Sequence, residues 1–209
     1  MDYQTEIDHA AAVVSAGGVV AIPTDTLFGL AADALNSDAV ERVYVAKGRP
    51  ADMPLPVLVS GWEQATQVAA IPAGALVVVQ KLAEAYWPGS LTMVLPAAPG
   101  LPARLTAGRD TIAVRMPNHP VPLALAEALG RPITGTSANR SGEPDIADAD
   151  ELRTIIGPRV DGIIARGPAP EGTASTIISV SPEGTALLRE GALPYREILD
   201  LLGMMEARS

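Results

Sequence analysis

The 209-residue chain predicts an α/β fold on a mixed sheet, and three observations carry that expectation. Short apolar runs rich in Val, Ile and Leu alternate with helix-length amphipathic segments, without a break in composition. Hydrophobic residues make up 48% of the chain and aromatic residues 3%, so the core is aliphatic. The runs are irregularly spaced, which argues against a plain doubly wound sheet and for a mixed one. A chain of this length builds one domain with a core of its own. No internal repeat divides it, so residues 1–209 read as a single domain.

The elements follow in order. Residues 5–15 read as a helix with Thr5 as N-cap and Asp8 three residues on, ended by Gly17 and Gly18. Residues 19–22 are a β-branched apolar run, hence a buried strand, closed by Pro23. Ser37 caps a second helix with Val40, Val43 and Tyr44 on one face, running out at Lys47-Gly48. Residues 55–59 are a strand, and 73–86 a helix ended by Trp87-Pro88-Gly89. Residues 91–95 and 111–116 are strands, and 120–129 a helix with Gly130 just past its end. Residues 133–137 form a short strand that runs into a polar loop. Residues 149–156 are helical and 160–165 a strand. Residues 166–174, rich in Gly and Pro, are a mobile loop. Residues 175–180 and 186–189 are strands, 195–202 a closing helix, and the last residues fray.

Composition excludes several classes. With no cysteine, disulfides, iron–sulfur clusters, thiolate zinc sites and cysteine nucleophiles are ruled out together, as suits a reducing cytoplasm. A net charge of -9 is the opposite of a general phosphate-backbone binder, so any nucleic-acid contact is local. No basic start precedes a long apolar run. The apolar stretches fall far short of the roughly 20 residues that span a bilayer. A soluble cytoplasmic protein with no membrane partner is expected.

Familiar catalytic patterns are missing. Neither a P-loop nor a dinucleotide fingerprint occurs. His9 and His119 lack metal-ligand spacing and read as structural or surface residues. Gly135-Thr136-Ser137-Ala138-Asn139 lacks the last glycine of a nucleophile elbow, and no histidine follows Ser137 as hydrolase order requires.

Hydroxyls and cations do gather where elements end. Thr24 and Thr26 follow a buried strand, where open α/β sheets bind ligands; alone, an ordinary polar turn accounts for them. Lys47 and Arg49, one residue apart at a helix end, suit a polyphosphate, or simply complement the helix dipole. Arg115 sits in an otherwise apolar strand and needs an anionic partner, either a protein carboxylate or a ligand carboxylate. The loop from Thr136 to Gly142 is dense in donors, although Ser and Asn are also common turn residues. Ser175-Thr176 opens one strand and Arg189 closes another. Together these clusters suggest a polar cavity for an anion-rich substrate such as ATP.

In order along the chain stand Pro23-Thr24-Asp25-Thr26 with Gly29-Leu30, Lys47-x-Arg49-Pro50, Trp87-Pro88-Gly89 with Leu91-Thr92, and Val114-Arg115-Met116-Pro117. Ser137-Ala138-Asn139, Ser175-Thr176-Ile177 and Leu188-Arg189-x-Gly191 follow. This ordered set resembles the YrdC/TsaC family of threonylcarbamoyl-AMP synthases, in its short single-domain form. The resemblance implies a YrdC-like twisted mixed sheet flanked by helices, with a large concave cavity. It implies synthesis of threonylcarbamoyl-AMP and pyrophosphate from L-threonine, bicarbonate and ATP, with Mg2+ accompanying the nucleotide and no structural metal. The product serves threonylcarbamoyl modification of tRNA, which makes tRNA and the downstream transferase proteins partners. Carried over residue by residue, Thr26, Arg115 and Ser175 would bind threonine. Lys47 and Arg49 would hold phosphates and stabilise charge at the α-phosphoryl group. Thr111, Ser137, Asn139 and Arg189 would bind the nucleotide. The chain departs from the pattern at Met53 and Leu58, where many members have Asn and His, at Asp145, where Ser is frequent, and at Arg166, in place of the first of two glycines. The alternatives are a YrdC-like enzyme that adenylates carbamoyl phosphate and a non-catalytic RNA-binding module.

Overall fold

Asp2, not Thr5, starts the first helix. Its Oδ1 accepts the Thr5 amide at 2.9 Å and its Oδ2 the Thr5 hydroxyl at 2.8 Å. The carboxylate satisfies an otherwise orphaned amide, so α1 runs Tyr3–Ser15 and Thr5 lies inside it. The same correction applies to Ser37. Asn36 accepts the Asp38 and Ala39 amides through Oδ1 at 3.0 and 3.2 Å and is the true cap of α2, Ser37–Lys47. The computed structural model describes residues 2–146 and 148–203. The expected fraying of the chain end falls on residues 204–209, outside the described residues.

Between these helices lies an antiparallel hairpin, β1 Val20–Pro23 and β2 Phe28–Ala31. The strand Phe28–Ala31 was not among those expected from sequence. The chain continues through β3 Val57–Leu58, α3 Trp62–Val68, α4 Ala73–Tyr86, β4 Leu91–Pro96, α5 Ala103–Thr106, β5 Thr111–Arg115 and α6 Pro120–Leu129. Then come β6 Ile133–Thr134, β7 Thr136–Ser137, α7 Ala149–Ile155, β8 Gly162–Ile163, β9 Thr176–Ser181, β10 Gly184–Arg189 and α8 Tyr195–Leu202. The short helices α3 and α5 were not expected.

The strands form two mixed sheets rather than one. One has the order β7-β2-β1-β8 and the other β10-β9-β4-β5-β3-β6. The reason lies in the segment read from sequence as one strand, 133–137. Gly135 divides it: β6 pairs antiparallel with β3, and β7 pairs antiparallel with β2. A Cβ at Gly135 would collide with the Leu58 side chain, so only glycine passes this point. Thr134 fastens the crossing, its hydroxyl donating to Leu30 O at 2.8 Å and accepting from Ala32 N at 3.0 Å.

Two apolar clusters hold the sheets. Ile7, Ala10 and Val14 of α1 meet Val121, Leu125 and Ala126 of α6 over β1 and Leu58. The larger cluster joins α2, α4, β4 and β5, with aliphatic side chains such as Val43, Leu82, Met93 and Val114. Among the described residues, no helix is long and apolar enough to cross a membrane.

Candidate active site

The tip of the first hairpin is a hydroxyl-built turn. Thr24 Oγ1 donates to Leu27 O at 2.7 Å and accepts the amides of Thr26 and Leu27 at 3.2 Å. The Thr26 hydroxyl lies 3.1 Å from Thr24 Oγ1. Thr24 therefore shapes the turn, and Thr26 is the hydroxyl that the turn presents.

Arg115, at the end of β5, reaches this tip from the other sheet. It donates through Nη1 to Thr26 Oγ1 at 2.7 Å, through Nη2 to Asp25 Oδ1 at 2.6 Å and through Nε to Gly89 O at 2.8 Å. The side chains of this ion pair are only 7% and 13% exposed. Burial pulls the guanidinium pKa down and Asp25 opposes the shift. The question left open by the sequence has a structural answer: Asp25 is the protein carboxylate for Arg115. Three bonds use three of the five N–H groups that a guanidinium carries, leaving two for a ligand.

Ser175 and Thr176, a matched pair in sequence, have different fates. Ser175 Oγ lies 2.9 Å from Thr92 Oγ1 and both line the cavity. Thr176 is fully buried and accepts the amides of Gly191 and Leu193 at 2.8 and 3.2 Å. This closes the turn after β10 and sets Arg189, whose Nη2 donates to Ser175 O at 2.8 Å. Gly191 has a physical reason as well. A Cβ there would overlap Ala174 O and the Ser175 carbonyl.

On the opposite wall, α2 ends at Gly48, whose φ of +59° is the left-handed conformation suited to glycine. Lys47 and Arg49 are thereby sent to different places. Lys47 is 2% exposed. Its ammonium donates to Ser137 O, to Asn139 O at 2.8 Å and to Asn139 Oδ1 at 2.9 Å. All three of its protons are accepted by the donor loop. Burial, then the Arg49 charge, pulls its pKa down to about 8, with Asp145 opposing. Asn139 Oδ1 also accepts from Ser137 Oγ at 2.7 Å. Arg49 faces the cavity, donating through Nε to Met53 O at 3.1 Å and through Nη2 to Pro54 O at 2.8 Å.

These walls enclose a cavity of about 520 Å³. Of the residues singled out from sequence, Thr26, Arg49, Arg115, Ser137, Ser175 and Arg189 line it. Lys47 and Asn139 stand behind it, and Thr111, at the opposite end of β5 from Arg115, does not line it. Sequence reasoning did not single out Arg109, which lines the cavity just ahead of β5. Its signal, an arginine two residues before the strand that carries Arg115, is faint. Met53, Leu58 and Asp145 all line the cavity. Asp145 is its one lining carboxylate among the described residues, and it opposes the lowered pKa of Arg189. Among the described residues no three His, Cys, Asp or Glu side chains converge as a metal site.

The loop 166–174 crosses this end of the molecule and is tied down. His119, the N-cap of α6, accepts the Val121 amide through Nδ1 at 3.1 Å, so its proton is on Nε2, which donates to Pro168 O at 3.1 Å. Glu171 N and Gly172 N donate to Asp25 O and Thr26 O at 3.1 and 2.9 Å. Behind Arg115, a second cleft of about 310 Å³ is lined by Trp62, Gln80, Ala83, Glu84, Trp87 and Met116.

The chain as a whole is similar to known proteins. Residues 12–191 match the Sua5/yciO/yrdC family, described as telomere recombination. The chain belongs to this family. It is 40% identical over 199 residues to threonylcarbamoyl-AMP synthase of Bacillus subtilis and 42% identical to that of Pyrococcus abyssi, with 95% of the chain covered in each case. It spans 57% of the length of either relative. The crystal structure of P. abyssi Sua5 complexed with L-threonine superposes with a TM-score of 0.91 at 39% identity, over 98% of this chain and 59% of that one.

Proposed function

We propose that the chain makes threonylcarbamoyl-AMP and pyrophosphate from L-threonine, bicarbonate and ATP, as one YrdC-like domain supplying threonylcarbamoyl modification of tRNA in the cytoplasm. The observation that carries this is Arg115, buried between Asp25 and Thr26 with two N–H groups left over, beside the Ser175–Thr92 hydroxyl pair. A carboxylate with an adjacent hydroxyl suits that corner, and the similar Sua5 structure holds L-threonine.

Threonine binds by its carboxylate at Arg115, with Thr26 and Ser175 as further contacts. Its amine attacks bicarbonate and water leaves, giving the carbamate. A carbamate oxygen then attacks the α-phosphorus of ATP. The bond from that phosphorus to the β-phosphate oxygen breaks, and pyrophosphate departs. No side-chain nucleophile is needed, so catalysis rests on positioning and fixed charge. Arg49 and Arg189 supply that charge from the walls. Lys47 supplies it from behind, while holding Ser137 and Asn139 in place to meet the nucleotide. Magnesium enters with the nucleotide as part of the substrate, and Asp145 is the lining carboxylate available to it.

The test is pyrophosphate release from ATP, magnesium and bicarbonate, with and without L-threonine, on wild type and Ser175→Ala. Threonine-dependent release that falls on the order of a hundredfold in the variant supports the assignment. No threonine-dependent release from folded wild type sinks it. Release with carbamoyl phosphate instead would move the chain to the carbamoyl-adenylating class, and salt-sensitive RNA binding indifferent to ATP would make it a binding module.

A further inference from the structure

Arg109 and Arg49 arrive from distant parts of the sequence and rest on one short stretch of backbone. Arg109 donates through Nη2 to Asp52 O at 3.2 Å. Arg49 donates to the next two carbonyls, Met53 O and Pro54 O, at 3.1 and 2.8 Å. Both line the same cavity. Their partners are neutral oxygens, Arg49 Nη1 also reaching Thr136 Oγ1 at 3.4 Å, and among the described residues neither has a carboxylate within ion-pair distance. Arg42, Arg104, Arg115, Arg131 and Arg153 each do. Two guanidinium groups anchored on consecutive carbonyls of one segment, with no carboxylate partner, offer paired positive charge to a polyanion. The 52–54 segment is also rim rather than floor, since Asp52 and Met53 are exposed. Arg115 and Ser175, where threonine would bind, lie deeper.

We infer that Arg109, together with Arg49, grips the β- and γ-phosphates of ATP, and so holds the pyrophosphate that leaves. This rests on the synthase reading above. The α-phosphorus must meet the carbamate in the depth of the cavity, so the tail of the triphosphate points to the rim, where these two cations wait. Arg109 is exposed and its side chain makes one hydrogen bond to the protein among the described residues, so replacing it leaves the fold intact.

Calorimetric binding of pyrophosphate, AMP and a non-hydrolysable ATP analogue, each with magnesium, to wild type, Arg109→Ala and Arg109→Lys tests this without turnover. Arg109→Ala is expected to weaken pyrophosphate and the ATP analogue about tenfold, the worth of one charge-assisted bond, and to change AMP less than about twofold. Arg109→Lys should recover part of the loss. Equal binding of all three by wild type and Arg109→Ala overturns the inference and leaves the synthase reading standing. A parallel loss of AMP overturns it too, by moving Arg109 away from the phosphate tail. Wild type that binds none of the three overturns the synthase reading itself.

Discussion

Arg115 does two jobs whose costs can be separated. Removing it leaves Asp25 buried without its cation, and an unpaired buried charge costs about 3–5 kcal/mol. Arg115→Ala should therefore melt well below wild type. Arg115→Leu combined with Asp25→Ala removes both charges and should recover most of that stability, because the two residues are coupled. It should not recover threonine-dependent pyrophosphate release. Denaturant unfolding of the single and double variants checks the first statement and the release assay the second. A double variant as unstable as the single one would show that the pair does more than balance charge. At this scale much of the site was legible. An arginine in an apolar strand announces an anion, and hydroxyls at strand ends announce a pocket. Which of two neighbours faces the cavity was not legible. Lys47 against Arg49, and Ser175 against Thr176, are decided by a left-handed turn at Gly48 and by amides returning from residues 191 and 193.

Elements add a second lesson through the loop 166–174 and the helix that holds it. His119 caps α6 with Nδ1 and holds Pro168 O with Nε2, and burial lowers its pKa below the ordinary 6.5. The folded chain thus keeps the neutral ring. That contribution is whole above about pH 6.5 and is lost as pH falls below it, because a proton on Nδ1 removes the acceptor for Val121. Protease cutting within 166–174 should accelerate as pH drops from 7 toward 5. At pH 7, His119→Asn retains a capping acceptor but not the bond to Pro168, and should be cut several-fold faster with little change in Tm. Equal cutting of wild type and variant would show that the loop's other bonds, those to Asp25 and Thr26 among them, hold it without His119. The loop's glycines and prolines were plain in the sequence but its fastening was not, since part of it is a histidine 49 positions away. Although the N-caps of α1 and α2 were misplaced and the short α3 and α5 were missed, the longer helices were legible from their periodicity. Phe28–Ala31 and the split at Gly135 were not, because strand pairing is decided by partners far along the chain.

At the scale of the molecule, two sheets meet at one seam. Thr26 and Ser137 come from the four-stranded sheet or its hairpin tip; Arg115 and the strand after Ser175 belong to the six-stranded one. A ligand that touches both binds only the arrangement in which the seam is closed, so it stabilises the whole fold by mass action. Threonine and an ATP analogue, each at about a hundred times its Kd, should together raise Tm by roughly 10–20 °C for a chain of this size. Thermal scans with each ligand alone and with both together would measure it. An unchanged Tm at ligand levels that saturate binding by calorimetry would mean that the site forms no bridge across the seam.

The cleft that borders Met116 gives the chain a private source of light. Trp62 and Trp87 are its two tryptophans, and both face that one cleft, next door to Arg115. Excited at wavelengths that tyrosine does not absorb, the protein therefore glows from a single place. A shift in that emission would register events at the last turn of backbone beyond Arg115, while anything confined to the hairpin tip or the arginines at the rim would pass in the dark.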